Sequence, residues 1–362
     1  MGEAPSTKNW KALQQKYVDQ IIQRARSSDP RIRQALVRYP RHFFAPKSAD
    51  LNEIYSDNVV QVLQKDHEVV STMSQPSLVV AMTELLKIKK GEKILEIGTS
   101  SGYSTALLSA VNEFPDRVYT VEYQADLEAF ARDHFKKCGL EQIHTRIGDG
   151  FFGWSEYAPY DVITGSVAFP ALPRPLVEQL ADGGRIALPL ALDEEGLAPY
   201  FIAKKTGLKL EGRFWGSPLF FVPLKGEQNL EAPFLQVAPA DVMQAMKGSE
   251  TKITTHELKW DELGGLFLYI ALKKNKLMGL PAGRSLRGWV LDSQNFMLFD
   301  LKNLYFRGSS EFIARAKGLL NEWMEYGKPH LDDYVLEIDL TRNIKFDGWR
   351  VWDCQIQSFL KL

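Results

Sequence analysis

A loop of small residues lies between an apolar run and a helix-forming run, and it offers the clearest chemistry in this chain. The loop, Gly98-Thr-Ser-Ser-Gly102, follows Ile94–Ile97 and precedes Ser104–Ala110. A strand, a tight loop and a helix in this order bring backbone N–H groups and a helix N-terminus close to a ligand. Because a middle glycine is missing, the loop alone fits a closely packed turn that binds nothing equally well.

Two acidic residues come at the ends of the next two apolar runs. Glu122 ends Val118–Val121, at about the twenty-residue offset typical of a ribose-binding acid. Its carboxylate can accept hydrogen bonds from both ribose hydroxyls. Asp149 lies within Gly148-Asp-Gly150, where it can hold an adenine amino group. The three strand ends together predict a nucleoside site. The spacing does not distinguish NAD from S-adenosylmethionine, and the lack of a phosphate-binding Lys in the loop argues against a nucleoside triphosphatase.

The elements that position these residues alternate along the chain. Helices are predicted at 77–87, 103–110, 124–137 and 173–181, between strands at 93–97, 117–121, 143–147, 161–165 and 184–190. This alternation is typical of an α/β fold with a mostly parallel sheet and helices on both faces. Strands near 199–205 and 213–223 have no long helix between them. They predict an antiparallel hairpin at the sheet edge.

The rest of the chain suggests three domains. Amphipathic helices at 10–25 and from Asp29-Pro30 to Pro40 predict an N-terminal helical segment, 1–50. The segment Ser71–Pro76 reads as a polar turn. Irregular sequence from Lys225 to Pro233 predicts a boundary between a cofactor domain, 51–226, and a C-terminal α+β module, 235–362. The module should contain helices at 241–246 and 309–326 and strands near 287–291, 296–299, 304–306, 334–340 and 349–357; the apolar run 266–272 has no assigned element.

Composition narrows the class of protein. The 362 residues carry a net charge of −1, with 45% hydrophobic and 25% charged residues, which is typical of a soluble globular protein. No overall field exists to attract nucleic acid or membrane, so neither is expected as a partner. Two distant cysteines, Cys138 and Cys354, and six scattered histidines predict no disulfide framework and no metal site. The expected compartment is the cytoplasm, and the oligomeric state is left open.

Several segments resemble protein-L-isoaspartate O-methyltransferases, in order, between about Arg31 and Leu224. The matching segments are Val37-Arg-Tyr-Pro-Arg-His-Phe-Phe-Ala-Pro46, Tyr55-Ser-Asp57, Ser71-Thr-Met-Ser-Gln-Pro76, Leu95-Glu-Ile-Gly-Thr-Ser-Ser-Gly-Tyr103, Gly148-Asp-Gly150, Tyr160-Asp-Val-Ile163, Gln179-Leu-Ala-Asp-Gly-Gly184 and Phe221-Val-Pro-Leu224. Each is modest alone, and their common order makes the match specific. The resemblance implies a Rossmann-like sheet, S-adenosylmethionine as cofactor and a carboxylate as methyl acceptor.

The resemblance also assigns residues to the site. Ser74 takes the place of the family's active-site Ser, and Thr72 and Met73 should lie along the methionine end of the cofactor. The remaining cofactor residues are Gly98, Thr99, Ser100, Gly102, Glu122, Asp149 and Gly150. Ser74 also suits an N-cap of the helix at 77–87, and a capping hydroxyl can serve a carboxylate too.

The chain departs from the family pattern at three places. Ser100 replaces a glycine of the loop. Val167 and Phe169 replace alanines beside the acceptor, where the resemblance also places Ser166 and Val222. The C-terminal module is absent from compact repair enzymes. Its segments Gly308–Phe312 and Leu320–Pro329 loosely resemble long bacterial members, some of which methylate aspartates of ribosomally made peptides on the way to an aspartimide.

The expected function is therefore S-adenosylmethionine-dependent methylation of an aspartyl or isoaspartyl carboxylate in a peptide or protein. The altered positions Val167 and Phe169 and the added module favour a dedicated modifier of one peptide. General repair of isoaspartate in damaged proteins is the alternative. A third hypothesis is a binding protein that keeps the fold without catalysis, and the intact Glu122, Asp149 and Ser74 count against it.

Overall fold

The computed structural model describes most of the chain, in thirteen stretches. These are residues 10–65, 68–193, 196–216, 219–226, 238–248, 252–255, 259–274, 277–280, 286–300, 302–342, 348–349, 351 and 354–359. Contacts divide the chain into two compact units. The first unit comprises Met1–Ser166, Gln179–Ala181 and Lys225–Glu227, and the second comprises Val167–Glu178, Asp182–Leu224 and Gln228–Leu362.

In the described part of the first unit, six α-helices and six strands are assigned beside short 3₁₀ turns. The helices are α1 (Trp10–Ala25), α2 (Pro30–Arg38), α3 (Leu51–Ile54), α4 (Pro76–Leu86), α5 (Tyr103–Asn112) and α6 (Ala125–Lys137). The strands are β1 (Val60–Lys65), β2 (Glu68–Met73), β3 (Ile94–Ile97), β4 (Val118–Glu122), β5 (His144–Ile147) and β6 (Tyr160–Gly165). The predicted alternation of strands and helices is confirmed, with boundaries within a few residues.

A parallel sheet organises the first unit. Its strands run in the order β6-β3-β4-β5. Every residue of β3 and β4 is buried, as expected of parallel strands that are covered on both faces. All four strands point the same way, so their carboxyl ends lie at one edge of the sheet.

The N-terminal helices belong to this unit. Helix α1 packs against α4, and α2 packs against α5. Their amphipathic faces, buried at Tyr17, Val18 and Ile21 in α1, therefore cover the unit's own helices. A separate helical segment at 1–50 does not match this packing.

The predicted polar turn at Ser71–Pro76 is wrong in its first half. Ser71–Met73 lie in β2, which pairs antiparallel with β1 in the register Val60↔Met73 and Lys65↔Glu68. The hairpin escaped prediction because its burial is irregular: β1 has only one buried residue, at its first position. Ser74 therefore follows directly after a strand.

The second unit holds the remaining elements. They are β7 (Leu172–Pro173), α7 (Arg174–Glu178), β8 (Leu180–Pro189, whose first two residues belong to the first unit), β9 (Tyr200–Thr206), β10 (Lys209–Trp215), α8 (Pro239–Met246), β11 (Lys252–Thr255), α9 (Trp260–Lys274), β12 (Met278–Gly279), β13 (Arg287–Val290), β14 (Phe296–Phe299), β15 (Asn303–Arg307), α10 (Ser310–Glu325), β16 (Tyr334–Asp339), β17 (Gly348–Trp349) and β18 (Gln355–Phe359). Strands β11-β15-β14-β13-β12 form an antiparallel sheet. The unassigned apolar run 266–272 belongs to the helix α9.

The predicted hairpin forms, but it does not lie at a sheet edge. Strands β9 and β10 pair antiparallel, and β16 pairs with the other side of β10 at Leu210↔Ile338. The second hairpin strand was predicted at 213–223, whereas β10 ends at Trp215. Edge strands need a partner or protection, and here the C-terminal chain supplies the partner.

The predicted boundary at 225–233 does not match the division into units. Strand β16 extends the sheet of β8–β10, and β17 pairs with β7 at Gly348↔Pro173. The C-terminal residues thus fold together with 167–224. Residues 227–237, which cover most of the proposed linker, lie outside the described part of the chain.

Candidate functional site

The three strand ends that were predicted to bind a nucleoside lie at one edge of the parallel sheet. The register pairs Ile97 with Val121 and Glu122 with Ile147. The backbone N–H of Gly98 donates to the carbonyl of Val121 at 2.9 Å. Gly98 has a φ of 90°, a left-handed value at which L side chains are strained, so glycine suits this first loop position.

Glu122 is held in place by backbone donors at the end of β4. Glu122 is 6% exposed. Ser100 N–H donates to Oε2 at 2.9 Å, and Gln124 N–H donates to Oε1 at 3.1 Å. Burial raises the pKa of Glu122, and the backbone donors oppose that rise. The backbone N–H groups of Tyr123 and Thr99 also act to lower this pKa, so several backbone donors fix the carboxylate at the strand end where a ribose is predicted to bind.

Asp149 lies where β5 ends and caps a short 3₁₀ turn at Gly150–Phe152. Its Oδ1 accepts from Phe151 N–H at 2.9 Å. The chain returns to this carboxylate at Gly226, where an added Cβ would lie 2.3 Å from Oδ2. Only glycine fits such an approach without a shift. Gly226 was not predicted as a site residue, because nothing in the surrounding sequence marks it.

Exposed apolar side chains come from the same strand ends. Tyr123 follows β4 and is 44% exposed, Ile147 ends β5 and is 52% exposed, and Phe152 is 42% exposed. Large exposed apolar groups beside two carboxylates suit the faces of a purine ring. The two carboxylates therefore fit an adenosine-containing group, and exposed apolar side chains lie close to them along the chain.

A cleft in the first unit collects the other predicted residues. It is open to solvent, and the free space beside its lining, with the open mouth included, is about 560 Å³. Its lining includes the predicted residues Thr72, Met73, Ser74, Gly98, Thr99, Ser100 and Ser166. Glu122, Asp149, Gly102 and Gly150 are not in that lining. The cleft therefore corresponds to the methionine and acceptor end of the predicted site.

Ser74 does not cap the following helix, contrary to one of its two predicted roles. The N-cap of α4 is Gln75, whose side chain makes no capping hydrogen bond. Asp57 takes that role instead, because its Oδ1 accepts from Ser77 N–H at 2.9 Å and its Oδ2 accepts from Ser77 Oγ at 2.8 Å. Burial raises the pKa of Asp57, but the donors Ser77, Gln75 and Arg24 outweigh it and lower the pKa.

This capping arrangement leaves the Ser74 side chain uncommitted. Within the described residues its hydroxyl makes no hydrogen bond, and the side chain lines the cleft. A half-buried hydroxyl without a protein partner is suited to a ligand. The active-site position of Ser74 stays a prediction that this geometry favours over a capping role.

Ser100, where the family pattern has glycine, joins the two sides of the cleft. Its φ is 50°, in the left-handed region that costs a non-glycine residue roughly 1–2 kcal/mol. Its Oγ lies 2.7 Å from Ser71 Oγ and donates to the carbonyl of Thr72 at 3.2 Å. The serine thus ties the glycine loop to β2, the strand that leads to Ser74.

Glu96 is a further acid of this cleft that the sequence did not single out. It is 1% exposed and accepts from Thr105 Oγ1 at 2.5 Å and Thr120 Oγ1 at 2.9 Å. Burial raises its pKa to about 7, although the hydroxyl donors oppose the rise. Glu96 was overlooked because its position inside a buried strand resembles that of a core residue.

The remaining predicted acceptor residues belong to the second unit. Phe169 is 0% exposed, and its backbone joins a small ladder: its N–H donates to Pro189 O at 2.8 Å, and its carbonyl accepts from Ala191 N–H at 2.8 Å. A fully buried side chain offers no surface to a peptide, so the structure does not support Phe169 as a contact residue. Val167 and Val222 are half-buried, and their place beside the acceptor stays a prediction.

Two features are absent from the described stretches of the chain. No helix in those stretches is long and apolar enough to cross a membrane. No group of three or more His, Cys, Asp or Glu side chains in the same stretches is arranged to hold a metal ion.

The family of the chain follows from its sequence relatives. A family model described as protein-L-isoaspartate (D-aspartate) O-methyltransferase matches residues 12–229. This chain belongs to that family. A protein-L-isoaspartate O-methyltransferase of Picosynechococcus sp. is 38% identical over 215 residues, which cover 59% of this chain and 91% of that protein. One of Geobacter metallireducens is 42% identical over 171 residues, covering 47% and 74%.

Solved structures show the same fold. A structure named protein-L-isoaspartate O-methyltransferase superposes with a TM-score of 0.60 at 24% identity, covering 91% of this chain and 97% of that one. A putative enzyme of that name from Plasmodium falciparum, in complex with S-adenosyl-L-homocysteine, gives a TM-score of 0.51 at 18% identity, covering 59% and 98%. The first match extends well beyond residues 12–229, so the extended architecture is not confined to this chain. The chain is a methyltransferase that uses S-adenosylmethionine.

Proposed function

We propose that the protein methylates the free carboxylate of an isoaspartyl or aspartyl residue in a peptide or protein, which is the α-carboxylate of an isoaspartyl residue and the side-chain carboxylate of an aspartyl residue. The observation that carries the proposal is the cleft in which the uncommitted Ser74 hydroxyl and the glycine loop line the same space. S-adenosylmethionine supplies a methyl group bonded to a positively charged sulfur, which a carboxylate oxygen can attack. A carboxylate is already ionised at neutral pH, so no general base is required.

The chain's own residues would bind and align the reactants. Glu122 would accept from the ribose, and Asp149 would accept from the adenine amino group. Ser74 Oγ would donate a hydrogen bond to the acceptor carboxylate and fix its orientation. Alignment of reacting groups in a site that excludes water supplies much of the rate enhancement in reactions of this kind.

The lining of the cleft suits a carboxylate nucleophile. Its one charged residue is Glu96, whose Oε2 is engaged by Thr105 and Thr120. Strong donors such as Lys or Arg in the lining would stabilise the ionised acceptor more than its transition state and slow the attack. A single hydroxyl, as at Ser74, orients the acceptor without that penalty.

Methyl transfer to paired peptides tests the proposal. An isoaspartyl peptide and an aspartyl peptide of the same sequence would be incubated with the protein and S-adenosylmethionine, and methyl esters would be counted by mass spectrometry. We expect ester on at least one of the pair, with the Ser74→Ala variant as control. Binding of S-adenosylmethionine without methylation of any aspartyl or isoaspartyl peptide would contradict the proposal.

The breadth of acceptors distinguishes two finer functions. General repair requires esterification of many unrelated isoaspartyl peptides. A dedicated modifier would act on one ribosomally made peptide; the next backbone amide nitrogen would then displace methanol from the ester and close an aspartimide. Half-buried Val167 and the C-terminal residues support the second function. The burial of Phe169 and the extent of the match to a solved structure of the same family name remove part of its original support.

Membership of an enzyme family counts against the third hypothesis, a binding protein without catalysis. A protein without catalysis would be expected to lose its site residues by mutation, but they are present here. Glu122 is held by two backbone donors, and Ser74 lines the cleft.

A further inference from the structure

Arg41 is a fully buried cation behind the Ser74 segment. It is 0% exposed and begins the 3₁₀ turn Arg41–Phe44 after α2. Its Nη1 donates to the carbonyls of Ile54 at 2.8 Å and Ser56 at 3.3 Å. Its Nη2 donates to the carbonyls of Asn58 at 3.1 Å, Met73 at 3.5 Å and Ser74 at 3.1 Å.

The partners of this guanidinium are unusual for a buried charge. All five are backbone carbonyls, and no carboxylate within the described residues forms an ion pair with Arg41. Burial of a charge is costly unless hydrogen bonds replace the lost water. The planar fork of arginine directs several donors at fixed angles. Arg41 can therefore donate to all five carbonyls only if the two chain segments that carry them keep their positions.

The carbonyls come from two segments that meet at Arg41. One runs from Ile54 to Asn58 and contains Asp57, the residue that caps α4 through Ser77. The other is Met73-Ser74, at the end of β2. The backbone before Ser74 is thus fixed by Arg41, and the backbone after it is fixed by Asp57. Side chains held from both sides in this way keep the orientation that an active site needs.

We propose that Arg41 is a positioning residue for the acceptor: by holding the carbonyls of Met73 and Ser74, it sets the direction of the Ser74 hydroxyl. The proposal rests on the proposed function of Ser74. Among the predicted cofactor residues Arg41 donates only to the carbonyl of Met73, in its longest hydrogen bond at 3.5 Å, and to none of Gly98, Glu122 or Asp149. Its removal should therefore affect the acceptor more than the cofactor.

The test uses Arg41→Met and Arg41→Lys with Gln14→Met as the matched control. Gln14 is also buried and donates to two backbone carbonyls of the first unit, Leu36 at 3.1 Å and Val37 at 2.9 Å, away from Ser74. We expect Arg41→Met to lower kcat/KM for the acceptor peptide by at least about tenfold, since small misplacements of reacting groups can cost about a hundredfold. Arg41→Lys should retain part of the kcat/KM that Arg41→Met loses, because lysine keeps the charge and some of the donors.

Affinity for S-adenosyl-L-homocysteine, measured by calorimetry, should change by less than about threefold in the Arg41 variants, because the ribose and adenine residues keep their own partners. Gln14→Met should lower thermal stability without changing either the acceptor KM or this affinity. Equal losses of activity in Arg41→Lys and Gln14→Met at equal losses of melting temperature would overturn the proposal. If Arg41→Met does not fold, Arg41→Lys decides alone.

A second readout does not depend on activity. Met73 is 3% exposed, and its methyl group, labelled with ¹³C, reports the segment before Ser74; Met297 of the second unit, 0% exposed, serves as internal reference. Both Arg41 variants should shift or broaden the Met73 resonance and leave Met297 unchanged. An unchanged Met73 resonance in a variant that has lost its Arg41 contacts would refute the positioning role. A wild-type protein that methylates no isoaspartyl or aspartyl peptide would instead refute the proposed function, and the Met73 signal would still decide on Arg41.

Discussion

The two ends of the site are built in different ways. At the cofactor end, Glu122 and Asp149 accept from backbone N–H groups two residues away, and Glu122 also accepts from Ser100 N–H in the neighbouring loop. At the acceptor end, the Ser74 segment is held by side chains that are distant in sequence, Arg41 and Asp57. The cofactor carboxylates are therefore fixed by backbone groups of the parallel sheet and its loops, whereas the acceptor end depends on two individual side chains and should be easier to disrupt separately.

Ser74→Ala should give the largest effect and separate the two ends. We expect turnover to fall by about a hundredfold, the scale at which loss of orientation affects bound reactants. Affinity for S-adenosyl-L-homocysteine should stay within about twofold. The melting temperature should not change, because Ser74 is not a cap. The matched variant Ser77→Ala removes a hydroxyl that does bond to the cap Asp57; it should lower stability and spare turnover. The reverse pattern would return Ser74 to a structural role.

Glu122→Ala should act on the other end alone. Loss of this acceptor leaves ribose hydroxyls without a partner, which costs about 1–3 kcal/mol, or roughly fivefold to 150-fold in cofactor affinity. Calorimetry measures it directly. Glu128 provides the control: it is 5% exposed and accepts from Thr145 Oγ1 at 2.6 Å, without a predicted ligand. If Glu122→Ala and Glu128→Ala weaken binding equally, Glu122 does not contact the ribose.

The contrast also explains what the sequence could predict. Strand ends repeat with the alternation of helix and strand, so the loop at Gly98, Glu122 and Asp149 could be located from spacing. Arg41 and Gly226 could not be, because their partners are backbone groups with no residue-specific signature. The hairpin β1–β2 was missed because the burial of its residues does not alternate regularly along β1. The pairing of β10 with β16 was missed because 118 residues lie between the two strands. Pairing at that distance leaves no local pattern in the sequence.

Asp57→Ala should weaken the acceptor end of the site because it removes the cap of helix α4. Loss of a capping carboxylate typically costs about 1 kcal/mol of stability, and thermal unfolding should show it. Asp29→Ala is the matched control, because Asp29 caps α2 by accepting from Arg31 N–H at 2.9 Å. Both variants should lose stability, but only Asp57→Ala should also raise the KM for the acceptor. If both variants leave that KM unchanged, the cap does not contribute to the placement of Ser74.

Ser100 connects the two ends, and its substitution should have the smallest and most informative effect. Ser100→Gly relieves a left-handed backbone worth roughly 1–2 kcal/mol and gives up hydrogen bonds worth about 0.5–1.5 kcal/mol each. The net change in unfolding free energy should therefore be within about 1 kcal/mol. Ser100→Ala keeps the strain and loses the same bonds, so it should be less stable than Ser100→Gly.

A double-mutant cycle with Ser71→Ala isolates the contact between the two hydroxyls, which lie 2.7 Å apart. A coupling free energy of about 0.5 kcal/mol or more is expected for residues in direct contact. In Ser100→Gly the cofactor should still bind, because the N–H that donates to Glu122 is a backbone group. The Ser74 segment should lose its hydrogen bonds to the glycine loop, and the KM for the acceptor should rise. Equal stability of the Gly and Ala variants, with no coupling to Ser71, would mean that the hydroxyl links nothing and that the two ends of the site are independent.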